Sequence, residues 1–428
     1  LRHRGRYKRV APVRTVETEI TEIGAKGDGV AMVDGEMVFV PNTTPGDFVQ
    51  IEEQGGKGRV LELLRLGPDR IEPPCPLYGK CGGCALQHVT SNFYRSWKRD
   101  QVIAALAAVY IDTPVDALVV LPAASRRRAQ FYVQRSGAVA AIGFHKRRSR
   151  DLVPLNACLV LHPDLEKRLD ALRGLASAAP HNWAAFAMSV TLCDNGLDIN
   201  FTSSKELEEP HPKDLQKLTA AMTKAGVVRL SSNQEVLVTL SAPSIRMGRT
   251  LISPPPGGFL QVSTEGQSTL TDLVCDAVRG AKKTADLFSG CGTFSLPLAE
   301  FTSVSAYDSD ALAIDALRDA AGLAQAHGLT PVKAEVRNLF ERPLIADELK
   351  DFNTVVVDPP RAGAIHQMRE LAQSKVACVV SVSCNPKTFS RDARILMDGG
   401  FSLKKVTPVD QFVFSSHVEL VGVFRKQK

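Results

Sequence analysis

No stretch of the sequence approaches the roughly 20 consecutive apolar residues that a membrane-spanning helix requires, so a membrane protein is not expected. The basic stretch from Leu1 to Arg9 is not followed by the apolar run of a secretory signal, and the cytoplasm is the expected compartment. Cysteine is too scarce for a disulfide scaffold: there are nine in 428 residues, an odd number. In a cytosolic chain, clustered cysteines point instead to metal binding or catalysis. Internal repeats are absent, and the only biased stretch is a short proline run. Hydrophobic residues at 44% and charged residues at 23% are ordinary for globular proteins and exclude a disordered chain. At roughly 100–200 residues per domain, two to four domains are expected.

Acidic residues are missing from two places. Residues 1–14 carry Arg2, Arg4, Arg6, Lys8, Arg9 and Arg14 without an acid, and residues 121–150 carry Arg126, Arg127, Arg128, Arg135, Lys146, Arg147, Arg148 and Arg150, again without one. One such block reads equally well as a solvated tail. Two in one chain favour a polyanionic, nucleic-acid partner.

Between residues 16 and 54, short β-branched runs (Val16–Ile23, Val30–Val33, Met37–Val40, Phe48–Glu53) alternate with turns at Gly24, Gly27, Gly29, Asp34-Gly35 and Pro45-Gly46-Asp47. Strands so short and so regularly broken predict a small barrel. The segment GAKGDGVAMVDGEMVFVPNTTPGDFVQ resembles a TRAM domain, an RNA-binding barrel. Prolines 68, 73, 74 and 76 lead into a cysteine cluster, and a helical pattern covers 92–110. Residues 120–250 are mixed. After the break at Ser253-Pro254-Pro255-Pro256-Gly257-Gly258, strands expected at 284–288, 303–307, 331–335, 353–357 and 376–382 alternate with helices at 294–301, 309–326, 364–373 and 387–398. That alternation predicts a doubly wound parallel sheet, followed by further strands within 401–424.

The first βα turn, Asp286-Leu287-Phe288-Ser289-Gly290-Cys291-Gly292-Thr293, has two glycines but is neither G-x-G-x-x-G nor a P-loop. Asp308, ending the second strand, stands where a ribose diol is gripped; the alternative role, capping the next helix, could be filled equally well by Ser309. Asp358-Pro359-Pro360-Arg361 puts a carboxylate at the carboxyl edge of the sheet, where open α/β sheets bind ligands. Together F-S-G-C-G-T, Y-D and D-P-P-R resemble S-adenosylmethionine-dependent methyltransferases of class I, Rossmann-like fold. The fifth strand ends at Ser383-Cys384-Asn385-Pro386, just before a helix, and a thiol at a helix N-terminus is expected to have a lowered pKa. A methyltransferase needs such a thiol when the acceptor is carbon 5 of uracil. Addition of a thiolate at carbon 6 makes carbon 5 nucleophilic, and a base then removes the carbon-5 proton.

D-P-P-R-A-G, S-C-N-P and H-V-E at 417–419 resemble the RNA uridine-5-methyltransferases in order and spacing. The resemblance implies Cys384 as nucleophile and Glu419 as base, with Gln261, Phe288, Thr293, Asp308, Asn338 and Asp358 contacting S-adenosylmethionine. Thr293 and Asp308 depart from the residues the family often has there, Asn and Glu. Cys75-x5-Cys81-Gly82-Gly83-Cys84 would suit a zinc ion or an iron–sulfur cluster. Its spacing resembles the [4Fe–4S] site of the ribosomal-RNA branch of the family, and that resemblance implies Cys158 as the fourth ligand.

The expected organisation is a basic tail (1–14), an RNA-binding barrel (15–65), a central α+β domain with the cluster (66–250) and the methyltransferase domain (251–428). Part of 85–120 is placed against the last. The expected protein is a monomer that methylates carbon 5 of a uridine in 23S rRNA. The competing readings are a non-catalytic RNA-binding metalloprotein and a methyltransferase acting on tRNA or a small molecule.

Overall fold

Alternating buried and exposed positions in residues 14–54 give four strands one apolar face each, and closing them into a barrel removes those faces from water. The computed structural model describes residues 12–204 and 207–427; Arg2, Arg4, Arg6, Lys8 and Arg9 of the basic tail lie outside the described residues. Two compact units are formed. One comprises residues 12–97 with Lys146–Ser149 and Phe414–Ser416, and the other the remaining described residues.

In the first unit, strands Arg14–Ile23, Gly29–Val33, Glu36–Val40, Phe48–Gln54 and Lys57–Arg65 form a closed barrel in which the third pairs with the fifth and the fifth with the fourth. Ile20, Ala31, Val33, Val38, Val40, Val49 and Ile51 fill it. The turn Asp34-Gly35 has both residues at positive φ, 52° and 81°, the two-residue hairpin geometry this pair tolerates. The fifth strand escapes the sequence pattern because nearly all of its residues are exposed or half-exposed, so it carries no alternation. Buried Asp47 ties the barrel to the segment that follows. It accepts N–H bonds from Thr44 at 2.7 Å and Gly67 at 2.8 Å, and Arg70 donates to it at 2.6 Å. Burial alone would raise its pKa, but Arg70 and the two amides together hold it below the usual carboxylate value. Beyond the cysteine loop, Leu86, Val89, Tyr94 and Trp97 pack with Ile23, and the Trp97 indole donates to the Ile23 carbonyl at 2.9 Å.

The second unit has two sheets. One has seven strands in the order Glu235–Thr239, Val227–Ser232, Gly196–Thr202, Ala185–Cys193, Arg128–Ser136, Val139–His145, Leu152–Pro154. Its single parallel pair, Gly196–Thr202 with Val227–Ser232, is joined through helix Pro212–Ala225, which ends on Gly226 in the left-handed region. The other has eight strands in the order Val332–Val336, Ser303–Asp308, Lys283–Leu287, Thr354–Val357, Cys378–Ser383, Glu419–Lys426, Phe401–Asp410, Val119–Val120. The first five are parallel, and Glu419–Lys426 runs antiparallel between Cys378–Ser383 and Phe401–Asp410. This is the class I methyltransferase sheet. Helices Ala311–Ala326, Ile365–Gln373 and Pro386–Asp398 follow the expected pattern; the helix expected at 294–301 is only Ser295–Leu298. Val102, Leu106, Ile111 and Val115 join the core beneath this sheet with Leu287, Val355, Val379 and Phe424.

Asp47→Ala leaves Arg70 and the amides of Thr44 and Gly67 without this acceptor. The expected loss is about 3–5 kcal/mol of barrel stability, read by hydrogen exchange of the barrel amides in the full chain. Unchanged protection would show that the pairing does not hold the barrel.

Candidate active site

Parallel strands bring their carboxyl ends to one edge, and the next residues of four of them supply side chains there. After Leu287 the backbone turns through Phe288, Gly290 and Gly292 at φ of 62°, 53° and 97°. A positive φ is uncommon for a phenylalanine, and such strain collects at ligand sites. A Cβ at Gly292 would sit 2.5 Å from Leu317, whereas one at Gly290 would meet nothing within 4 Å, so the turn is tight behind and open in front. The Phe288 ring lies against Phe340, centroids 5.3 Å apart, and Thr293 is buried.

Asp308 is not a helix cap. Asp310 caps the following helix, while Asp308 accepts the amide of Gly290 at 2.8 Å and that of Asp310 at 2.9 Å. The Asp308 carbonyl accepts the Arg337 amide at 2.7 Å, which sets the neighbouring Asn338 turn at the same edge. Asp358 begins its turn with an N–H bond to the Leu287 carbonyl at 3.2 Å, at the point where strand order reverses. Cys384 directly follows the fifth strand. In the antiparallel partner Ser383 pairs with Leu420, so Glu419 arrives beside Cys384 from the opposite direction.

Gln411 joins two of the residues singled out in the sequence. Its side-chain amide donates to the Gln261 side-chain carbonyl at 2.8 Å and is hydrogen-bonded to Glu419. Arg127, also buried, donates to the Gln261 backbone carbonyl at 3.2 Å and to the Gln267 side chain at 2.6 Å.

The charges at this edge are mutually dependent. Burial, then the charge of Asp358, pushes Glu419 up to about 8, with the Gln411 bond opposing. Burial, then Asp286 and Asp308, pushes Asp358 up to about 7. Asp286, wholly buried, is likewise raised to about 7 by burial and by Asp308, although Ser295 donates to it at 2.5 Å. Its other oxygen has no hydrogen-bond partner among the described residues. The lowered thiol pKa expected for Cys384 is not found. Burial, Glu419 and Asp358 raise it to about 11, with Arg361 opposing. The reason is positional: Asn385 is the N-cap of helix Pro386–Asp398 and its side chain takes the Lys387 amide, so Cys384 lies outside the first turn. Four carboxyl groups in Coulombic reach of one another make a site suited to a cation.

A family model described as tRNA (uracil-5-)-methyltransferase matches residues 254–428, and a TRAM-domain model matches residues 9–54. An uncharacterized RNA methyltransferase of Caulobacter vibrioides is 42% identical over 95% of this chain and 99% of its own length. The chain belongs to the RNA uracil-5-methyltransferase family. The 23S rRNA (uracil(1939)-C(5))-methyltransferase RlmD of Shewanella woodyi is 29% identical over 96% of this chain and 95% of its own. The tRNA (uracil-54, C5)-methyltransferase of Pyrococcus abyssi, solved with S-adenosyl-L-homocysteine, shares the fold at a TM-score of 0.72 and 23% identity, over 96% of this chain and 100% of that one. As a member of this family, the chain is an S-adenosylmethionine-dependent RNA methyltransferase.

Other sequence expectations are distributed differently. Cys75, Cys81 and Cys84 lie on one loop of the first unit, where the Gly83 amide donates to the Cys81 sulfur at 3.4 Å and Cys75 interacts electrostatically with Cys81. Cys158 belongs to the second unit, its amide donating to Glu166 at 2.9 Å. Among the described residues, no three or more His, Cys, Asp or Glu side chains are gathered around one metal position. Much of the second basic block is engaged internally. Arg128 bonds the Leu260 carbonyl, Arg135 the carbonyls of Ser177, Ala179 and Pro180, and Arg147 and Arg148 pair with buried Asp28. No helix of the described residues is long and apolar enough to cross a membrane.

The acid cluster makes a testable electrostatic prediction. As pH rises from 6 to 9, Asp358 and Glu419 pass from neutral to charged, since their pKa values are raised to about 7 and about 8. Calorimetry should show the affinity ratio of cationic S-adenosylmethionine to uncharged-sulfur S-adenosylhomocysteine rising over this range. The rise should be about tenfold per unit by which the sulfonium lowers one of these pKa values. A ratio independent of pH would remove these carboxylates from the sulfonium's surroundings.

Proposed function

We propose that this enzyme methylates carbon 5 of a uridine in 23S rRNA through a covalent bond between Cys384 and carbon 6. The supporting observation is the antiparallel register that brings the Cys384 thiol and the buried Glu419 carboxyl to one strand edge. A methyltransferase that needed only to position its donor would have no use for this pair. Gln261, Phe288, Thr293, Asp308, Asn338 and Asp358 are the proposed donor contacts. The open face of Gly290 and the unpartnered oxygen of buried Asp286 fit an adenosyl sulfonium.

When bound, the methyl donor supplies an electrophilic methyl group on a cationic sulfur. A positive charge beside Asp358 and Glu419 favours their ionised forms. Cys384 gives up its proton to solvent and adds to carbon 6, making carbon 5 nucleophilic. After methyl transfer, Glu419 takes the carbon-5 proton, carbons 5 and 6 regain their double bond, and the Cys384 sulfur departs. Gln411 holds Glu419 and Gln261 in fixed relation, so base and donor share one frame.

Ribosomal rather than transfer RNA is favoured by the cysteine loop, whose spacing resembles that of the ribosomal branch. Cys75, Cys81, Cys84 and Cys158 would hold a [4Fe–4S] cluster. Three thiols on one glycine-containing loop suit that donor chemistry, and the chemistry of methyl transfer, a two-electron process, gives the cluster no redox task. The TRAM barrel, with whatever basic residues remain exposed, is the proposed grip on the RNA backbone.

Cys384→Ala should abolish methylation while leaving S-adenosylmethionine affinity nearly unchanged, and wild-type enzyme should form a gel-stable adduct with RNA carrying 5-fluorouridine. Turnover by the alanine variant would remove Cys384 as nucleophile. Glu419→Gln should accumulate a methylated covalent adduct, because the amide takes no proton at neutral pH; free product at the wild-type rate would move the base elsewhere.

Protein purified anaerobically should carry iron and sulfide near four each per chain. One zinc and no visible absorption would replace the cluster by a thiolate zinc site.

A further inference from the structure

The turn Asp358-Pro359-Pro360-Arg361 contributes only its aspartate to the roles described so far, yet its backbone is fastened to the helix that follows Cys384. The Arg361 carbonyl accepts bonds from the Asn385 side-chain amide and the Thr388 hydroxyl, each at 3.2 Å. The Ala362 carbonyl accepts Arg391 at 3.1 Å, and the Ala364 amide donates to Asp392 at 2.8 Å. Gly363 sits at φ 75°, and a Cβ there would lie 2.5 Å from Arg391 and 2.6 Å from Asp392. Asn385 directly follows Cys384, so these bonds fix Arg361 in register with the thiol.

The Arg361 side chain is exposed and enters no hydrogen bond or ion pair among the described residues. The charged neighbours of Cys384 are Glu419, Asp358 and Arg361, two acids and one cation. His417, close by, has Arg361, Lys98 and Arg126 as its charged neighbours. Lys98 is committed to a buried pair with Asp410 and to the Phe412 carbonyl at 3.1 Å, and Arg126 lies over the Phe412 ring, 5.8 Å from its centroid.

Resting on the covalent route of the preceding section, we propose that Arg361 is a catalytic residue of the addition step, pairing first with the Cys384 thiolate and then with the enolate oxygen of the uracil. Cys384 gives its proton to solvent and the S–C6 bond forms. The C5–C6 π pair moves toward C4, and the C4–O4 π pair comes to rest on O4, giving an enolate of charge −1. This charge develops within reach of Asp358 and Glu419, where an uncompensated anion is disfavoured. A guanidinium keeps its charge at every working pH and offers a planar fork of donors, so it can shift from sulfur to oxygen without a proton transfer. In methyl transfer the O4 pair re-forms the C4 carbonyl, the C4–C5 π pair bonds the methyl carbon, and the methyl–sulfur bond breaks to leave neutral S-adenosylhomocysteine. Loss of the C5 proton to Glu419 returns a pair to O4 beside Arg361, and collapse of this second enolate re-forms C5=C6 and expels the thiolate, which again meets Arg361.

The test uses the full-length protein with Arg361→Gln and Arg361→Lys. Three readouts are taken: S-adenosylmethionine affinity by calorimetry, the rate of adduct formation on 5-fluorouridine RNA at saturating RNA, and the pH profile of iodoacetamide alkylation at the Cys384 peptide by mass spectrometry. Arg361→Gln should leave donor affinity intact, slow adduct formation about 100-fold and shift the alkylation midpoint to higher pH, with Arg361→Lys recovering part of both. Weaker RNA binding with an unchanged saturated rate and alkylation profile would make Arg361 a phosphate contact and overturn the proposal. If wild-type enzyme forms no adduct, the covalent route itself fails and takes this inference with it; a wild-type adduct with an unaffected glutamine variant overturns the inference alone.

Discussion

The site depends on one register. Because Glu419–Lys426 runs antiparallel to Cys378–Ser383 with Leu420 opposite Ser383, a carboxyl group 35 positions along the chain from a thiol becomes its neighbour at the sheet edge. A one-residue slip would turn Glu419 to the other face. Everything that fixes this strand therefore supports the proposed chemistry. Phe401–Asp410 pairs along its far side, and Phe389 and Phe424 pack against Gly422, where a Cβ would lie 2.4 Å from the Phe389 ring.

The second dependence is electrostatic. Buried carboxyl groups without cations are costly, and here they are kept by partial neutralisation: Asp358 and Asp286 rise to about 7 and Glu419 to about 8. The same field holds the Cys384 thiol in its protonated form. Cys384 and Glu419, the proposed nucleophile and base, are thereby both shifted toward their neutral forms. Positive charge from the donor and from Arg361 is what would bring them to their reactive forms, so reactivity is linked to occupancy.

Legibility from sequence followed the range of the interactions. The parallel sheet was readable because strands such as Thr354–Val357 and Cys378–Ser383 are fully buried and rich in valine. Phe288, Asp308, Asp358 and Cys384 stood out because a strand end is marked locally by glycine, proline or an acid. The barrel strand Lys57–Arg65 lacks alternation, so nothing local in the sequence marks it as a strand. Gln411 could not be seen, since its bond to Gln261 joins residues 150 positions apart. Asp286 sat within a recognised motif, but its burial and unpaired oxygen are tertiary facts. The pKa of Cys384 was misjudged because a helix N-terminus helps only a group within its first turn, and the local rule was outweighed by burial and two acids. Five arginines of the basic block 126–150 also bond within the fold, which a count of local charge does not reveal.

The most direct measurement is tritium release from 23S rRNA transcribed with uridine labelled at carbon 5, incubated with enzyme and S-adenosylmethionine beside an equally labelled tRNA transcript. The account predicts that tritium leaves the 23S rRNA in step with methyl incorporation, at one uridine located by mass spectrometry, with little release from tRNA. Methyl incorporation with the tritium retained, or release from tRNA alone, would contradict it.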